Sequence, residues 1–139
     1  MAPPVPELQA SPRIIHTALF AGALFMAPFA VLLRLVFPVI DVPDAVLALR
    51  VSALIVMVGQ AVGVRVLRNH IAPLPPGGDE NAWWNAHLLP ALTIWAVGEG
   101  VALLGSVFFF LAGDLLMLAM IGGGLLLLLM SRPGRLMEP

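Results

Sequence analysis

Cysteine, lysine and tyrosine are missing from this chain, and charge of either sign is scarce. Without cysteine there is no disulfide, no thiol nucleophile and no thiolate-ligated metal. Charged side chains make up 11% of the 139 residues, against roughly 25% in a soluble domain. The seven basic residues are all arginine and the formal charge is −1, so nothing in the charge pattern points to nucleic acid. Catalytic signatures are lacking too. There is no G-x-x-x-x-G-K, no G-x-S-x-G and no H-x-x-x-H or H-E-x-x-H spacing, and the methionines are scattered. No metal, no cofactor and no enzymatic activity is therefore expected.

What the chain has instead is apolar length. Hydrophobic residues make up 60% of it, and the mean hydropathy is +1.01. A helix crossing a bilayer's hydrocarbon core needs about 20 apolar residues. Candidate runs are Ile14–Leu33, Ala45–Val66, Leu88–Ala112 and the shorter Leu115–Met130. Each is bounded by turn chemistry: Pro38 to Pro43, then "APLPPGGDEN" from Ala72 to Asn81, then Gly113–Asp114 as a C-cap followed by an N-cap. The third span is expected to begin with a polar turn near Asn81, and Pro90 to sit in its first turn, where its missing N–H is harmless. Pro28 is expected to kink the first span.

The expected fold is thus all-α, a four-helix transmembrane bundle of two hairpins over 14–131, with helices 14–36, 45–67, 86–112 and 114–131. A flexible tail precedes it over 1–13 and a cytoplasmic tail follows over 132–139. The N-terminal stretch does not suit a cleaved signal, since its apolar run is too long and no small-residue cleavage site follows. Arg13, Arg65, Arg68, Arg132 and Arg135 share one side; Arg34 and Arg50 share the other with Asp41, Asp44 and Asp114. The arginine excess places both termini in the cytoplasm of a bacterial inner membrane. Trp83 and Trp84, with His16 and His87, are read as interfacial residues.

Lipid provides no hydrophobic drive between helices, so small residues and polar pairs must bring them together. Gly59 and Gly63 form a G-x-x-x-G; Gly98, Ala102 and Ser106 recur every four residues, as do Ala18 and Gly22; Gly122, Gly123 and Gly124 strip a turn of side chains. These faces point to association, with other membrane subunits or with itself.

Glu99 is the outlier. It lies between two glycines in "WAVGEGVALLGSVFFF", roughly 16 Å along its helix from Leu88. A charge there costs at least about 2.5 kcal/mol. Counting the same depth along the other spans reaches Leu24, Ile55 and Met120, which makes Gln60 and Ser52 the nearest polar candidates. The expectation is a protonated Glu99 hydrogen-bonded near Gln60, acting either as glue between helices or as a proton- or ion-handling group. A haem ligated by His16 and His87 is a third alternative.

Two resemblances rest on these residues. "IWAVGEGVALLGSVFFFLAGD", the following "SRP" and "HTALFAGALFMAPF" resemble a group of small bacterial four-helix integral membrane proteins with an A-x-x-E-G-x-A-L helix and an LTGD-like turn; that resemblance implies a topology and no activity. Glu99, Ala102 and Gly105, as E-x-x-A-x-x-G, are similar to the ion-carrying helix of rotary ATPase proteolipids, which implies proton passage through the glutamate. The proteolipids' G-x-G-x-G helix is absent here, and their four-helix forms carry the acid on the second or fourth helix rather than the third.

Overall fold

The computed structural model describes residues 12–37 and 43–138. Most of the expected tail over 1–13, the turn after Pro38 and the C-terminal Pro139 lie outside the described residues. Among the described residues the chain is all-helical: α1 Pro12–Val36, α2 Pro43–Arg68, α3 Glu80–Ala112, α4 Leu115–Met130 and α5 Pro133–Met137.

Local chemistry starts and stops these helices. Asp79 accepts the Asn81 N–H at 2.9 Å and so caps α3. Asp114 accepts the Leu116 N–H at 2.9 Å and caps α4 in the same way. Between α3 and α4, Gly113 adopts φ +66°, and its N–H closes on the Phe109 carbonyl at 2.7 Å. That left-handed C-cap followed at once by an N-cap is the hairpin expected from the sequence. Pro133 occupies the first turn of α5, where a residue without an N–H fits.

Three of the helices are long and apolar enough to cross a membrane, α1, α2 and α3. The 33 residues of α3 reach about 50 Å, well beyond a hydrocarbon core of about 30 Å. The 16 residues of α4 reach only about 24 Å. The long helix begins at Glu80, beside the polar turn expected near Asn81 and ahead of the span boundary at 86, because the Asp79 cap sets its start. Pro90 consequently lies in the body of α3 rather than in its first turn. The small helix α5 was not anticipated: five residues are too few to show a period. It docks by burying Pro133 and Leu136, while its Met137 carbonyl accepts the Leu74 N–H at 3.0 Å.

Helix α3 is the centre of the bundle, in contact with α4, α1 and α2, whereas α1 and α2 barely meet. Two apolar clusters show how this works. One joins Ala23 of α1, Trp84, Trp95 and Ala102 of α3, and Leu128 of α4 with Leu136 of α5. The other joins Ala53 of α2 to Val101 of α3 and to Met117 and Met120 of α4. The start of α1, the α2–α3 connection and α5 gather at one end, as the Arg13–Glu80 ion pair at 3.6 Å and the Leu74–Met137 bond indicate.

The closest approach is between α3 and α4. A Cβ on Gly124 would stand 2.5 Å from the Gly98 carbonyl oxygen and 2.6 Å from the Ala102 nitrogen. One on Gly105 would stand 2.9 Å from the Ile121 nitrogen. Of the glycine triplet, only Gly124 is such a notch; Gly122 and Gly123 have nothing within 4 Å. Gly59 and Gly63 on α2 are equally open, so among the described residues the G-x-x-x-G packs against nothing. Three successive residues on a helix point 100° apart, so a partner can engage only one of three adjacent glycines closely. Gly124→Val should therefore cost about 1–3 kcal/mol of stability in detergent, whereas Gly122→Val should shift it by less than about 0.5 kcal/mol. Thermal melting followed by circular dichroism would check the contrast, and equal melting temperatures would refute the assigned notch.

Candidate functional site

Glu99 was expected to meet Gln60, and the structure places it elsewhere. Gly98, one residue earlier, faces α4, since a Cβ there would touch the Leu128 side chain at 3.0 Å. Val97 and Val101 belong to the cluster around α2. Glu99 lies 100° round from Gly98, toward the opposite flank, and its Oε1 sits where a Cβ on Gly22 of α1 would be 3.4 Å away. Position along the helix was countable from sequence, but rotation about the helix axis was not. Gln60 instead lines a shallow groove of about 210 Å³ between α2 and α4, beside Ala61, Val64, Gly123 and Leu126. Ser52 is exposed on α2. Among the described residues neither Glu99 nor Gln60 nor Ser52 makes a side-chain hydrogen bond. Glu99 is half-buried.

The polar contacts that do form were largely illegible in the sequence. At one end of the bundle, the Arg34 guanidinium of α1 donates to the Phe110 carbonyl at 3.0 Å, over the C-terminus of α3. A Cβ on Gly113 would fall on that guanidinium, so the glycine serves both the left-handed turn and the arginine's approach. Arg50 of α2 pairs with Asp114 at the start of α4. The Leu116 N–H and then Arg50 hold the Asp114 carboxyl below the usual carboxylate range.

At the other end, His16 of α1 is buried against the C-terminus of α4, its Nε2 bonded to the Leu128 carbonyl at 2.8 Å. The Trp95 ring meets His16 edge-on with centroids 5.2 Å apart, and its Nε1–H donates to the Ser131 carbonyl at 2.6 Å. The Ser131 hydroxyl donates back to the Leu127 carbonyl at 2.6 Å. Ser106, also buried, donates to Ala102 within its own helix at 2.9 Å.

The residues expected at an interface are largely covered by the fold itself. His16 is 9% exposed, Trp83 6% and Trp84 7%, so all three are turned into the protein. The Trp83 Nε1–H reaches the Ala72 carbonyl at 2.8 Å and ties the α2–α3 connection to α3. Trp84 packs toward Trp95 with centroids 6.0 Å apart. His87 stacks on Trp83 and bonds that residue's carbonyl at 2.9 Å. Burial follows because the first turns of α3 meet α5 and the α2–α3 connection. Each imidazole bonds a backbone carbonyl through one ring nitrogen, His16 through Nε2 and His87 through Nδ1. Among the described residues no group of three or more His, Asp or Glu is placed to hold a metal ion.

One packing residue escaped the sequence reading. Gly105 continues the Gly98–Ala102 seam one turn on, a spacing that was visible but credited to Ser106. Comparison with protein families, with curated proteins and with solved structures finds no match to this chain.

Chemically, the arrangement offers one half-buried carboxyl without a hydrogen-bond partner among the described residues, and two ends sealed by side chains bonded to helix-terminal carbonyls. Arg34→Leu should strip the Phe110 carbonyl of its charged donor and cost about 1–3 kcal/mol, read as a lower melting temperature in detergent. The Asp114 carboxyl, depressed in the folded state, adds stability that is complete above the ordinary aspartate pKa of about 4 and declines as pH drops below it. Asp114→Asn should melt lower at neutral pH and lose that acid dependence; an unchanged acid profile would contradict the Arg50–Asp114 assignment.

Proposed function

We propose that this chain is a small multi-pass protein of a bacterial inner membrane, with both termini cytoplasmic, that works by association rather than catalysis, as an accessory or assembly subunit of a larger membrane complex or as a homo-oligomer. One observation carries the reading: the most exposed of the long apolar helices is α2, and it turns the small-residue face of Gly59 and Gly63 outward. Only 6% of its apolar window is buried, against 39% for α3, and both glycines have open space above them. Exposed Val or Leu is satisfied by lipid, but a bare G-x-x-x-G surface suits the close approach of another helix.

A second reading has support from a different observation. Glu99 is half-buried beside Gly22 and unbonded among the described residues, and intramembrane carboxyls of this kind also serve proton or ion transfer. Labelling with a hydrophobic carbodiimide separates the two: translocation calls for modification of Glu99 that the transported ion blocks, and for Glu99→Gln to lose transport with assembly intact.

For the association reading, the expected outcome is co-purification of a defined complex in mild detergent. Gly59→Ile with Gly63→Ile should reduce its yield about tenfold, while Val51→Leu leaves it unchanged, as read by native electrophoresis and mass spectrometry. A monomer of unchanged mass in every variant would overturn it. Reporters placed after Gly77 and after Met137 should face the cytoplasm, and one inserted at Gly113 the opposite side.

A further inference from the structure

We infer that the groove between α2 and α4 holds an acyl chain of an anionic diacyl phospholipid, whose phosphate is bound by Arg65, Arg68 and Arg132 at the groove's mouth. The inference goes beyond the association reading and rests only on its topology, with the helices in a membrane and this end of the bundle toward the cytoplasm.

One face of each helix builds the groove. Gln60, Ala61 and Val64 line it on α2, and Gly123, Leu126, Leu127 and Met130 on α4. Along each wall these residues recur three or four positions apart, the spacing of a single helix face. Gly123 leaves the floor bare, since a Cβ there would meet nothing within 4 Å. Gln60, at the inner end, is the one polar residue among those described as lining it. Ala61, Leu126 and Met130 are exposed, so the groove opens sideways, as a chain entering from the bilayer requires. From Gly123 to Met130 the wall runs about 10 Å along α4. A volume of about 210 Å³ spread over that length leaves a cross-section of roughly 20 Å². That admits a hydrocarbon chain and excludes a helix, which is about 10 Å across with its side chains.

The mouth is basic. One turn beyond the α2 wall, Ala61 leads to Arg65 and Val64 to Arg68. Helix α4 ends at Met130, and the chain turns through Ser131 to Arg132, the N-cap of α5. These ends lie together. Val64 and Leu67 of α2 pack against the cluster that contains Leu128 of α4 and Leu136 of α5, and the Leu74 N–H bonds the Met137 carbonyl at 3.0 Å. Arg65, Arg68 and Arg132 are exposed, and among the described residues none of them is in an ion pair. The acids at this end are engaged elsewhere: Glu80 pairs with Arg13 at 3.6 Å, Asp79 caps α3, and Glu138 lies past α5.

Charge selects the occupant. Basic pockets between transmembrane helices at the cytoplasmic side take anionic lipid headgroups, and a guanidinium offers paired N–H donors that match phosphate oxygens. The C-termini of α2 and α4 carry carbonyl dipoles that oppose an anion here, so the arginines must supply the attraction. A zwitterionic headgroup, whose own cation offsets its phosphate, gains little from them. A phosphate without chains meets the arginines and leaves the apolar groove empty. An anionic diacyl lipid uses both halves of the site.

Native mass spectrometry of the full-length protein in mild detergent, offered equal amounts of phosphatidylglycerol and phosphatidylcholine with identical acyl chains, reads the occupancy. Phosphatidylglycerol should be retained about tenfold better, and Arg65→Gln with Arg68→Gln should erase that preference. Gly123→Leu fills the groove and keeps every charge. It should lower phosphatidylglycerol retention several-fold with helix content unchanged by circular dichroism, an effect that general attraction between a basic surface and anionic lipid does not produce. Ala61→Phe on the facing wall should act likewise, and it serves if the first variant fails to fold. Glycerol 3-phosphate, a headgroup without chains, should not displace the lipid. Equal retention of the two lipids, retention untouched by the arginine pair or by both groove variants, or displacement by glycerol 3-phosphate each overturns the proposal. Protein that enters vesicles yet fails these tests refutes this site alone. Protein that stays dissolved without lipid or detergent takes the membrane reading down with it.

Discussion

The last carbonyls of an α-helix have no N–H of their own helix to accept, and in or near hydrocarbon there is little water to serve them. An antiparallel hairpin doubles the difficulty, because its two C-termini lie at opposite ends of the bundle. Here one helix serves both. Arg34 covers the end of α3 and His16 covers the end of α4. They are 18 residues apart, five turns, and so lie on one face of α1 at roughly 27 Å separation, a distance close to the length of α4. Placing both side chains on their carbonyls sets α1 in axial position and in rotation together. With that rotation set, Gly22 is turned toward α3 and receives Glu99.

The same arrangement explains why the protein is lopsided. Helix α3 is apolar on every side, as expected for the centre of a bundle, and glycine or alanine at Gly98, Ala102 and Gly105 lets α4 press against its backbone. Helix α1 is tied at both ends by hydrogen bonds and α2 by the Arg50–Asp114 pair and the Ala53 contact. Among the described residues α1 and α2 barely meet. A four-helix bundle with every helix touching two neighbours would have enclosed Glu99 and Gln60; this one leaves the back of α3 and most of α2 outside. The surface that results is apolar, partly stripped of side chains and marked by a single carboxyl.

Much of this was legible along the chain, and the reason is local. Helix lengths follow from apolar runs, and the Gly113–Asp114 turn follows from two adjacent cap preferences. The division of arginines into two sets matches the two ends of the bundle, since reversing direction at each turn is all that assignment requires. Where a contact depends on rotation, the reading went astray. Gln60 was the nearest polar residue to the depth of Glu99 on α2, yet α2 docks on the flank carrying Val101. Trp83 and Trp84 looked like lipid anchors because such residues flank spans, yet α5 and the α2–α3 connection cover them. Arg34 and His16 looked like residues at a boundary, and their acceptors are backbone carbonyls, which have no signature in a sequence.

From the sequence alone come the apolar helices, their order, their turns and the isolation of one acid among hydrophobic residues, because each depends on neighbours a few positions away. Which glycine of the triplet is a notch, which imidazole ends a helix and which flank of α3 carries Glu99 were settled only in three dimensions. Those outcomes depend on how rigid cylinders are turned about their axes, and that rotation is decided by contacts between residues as far apart in the chain as His16 and Leu128.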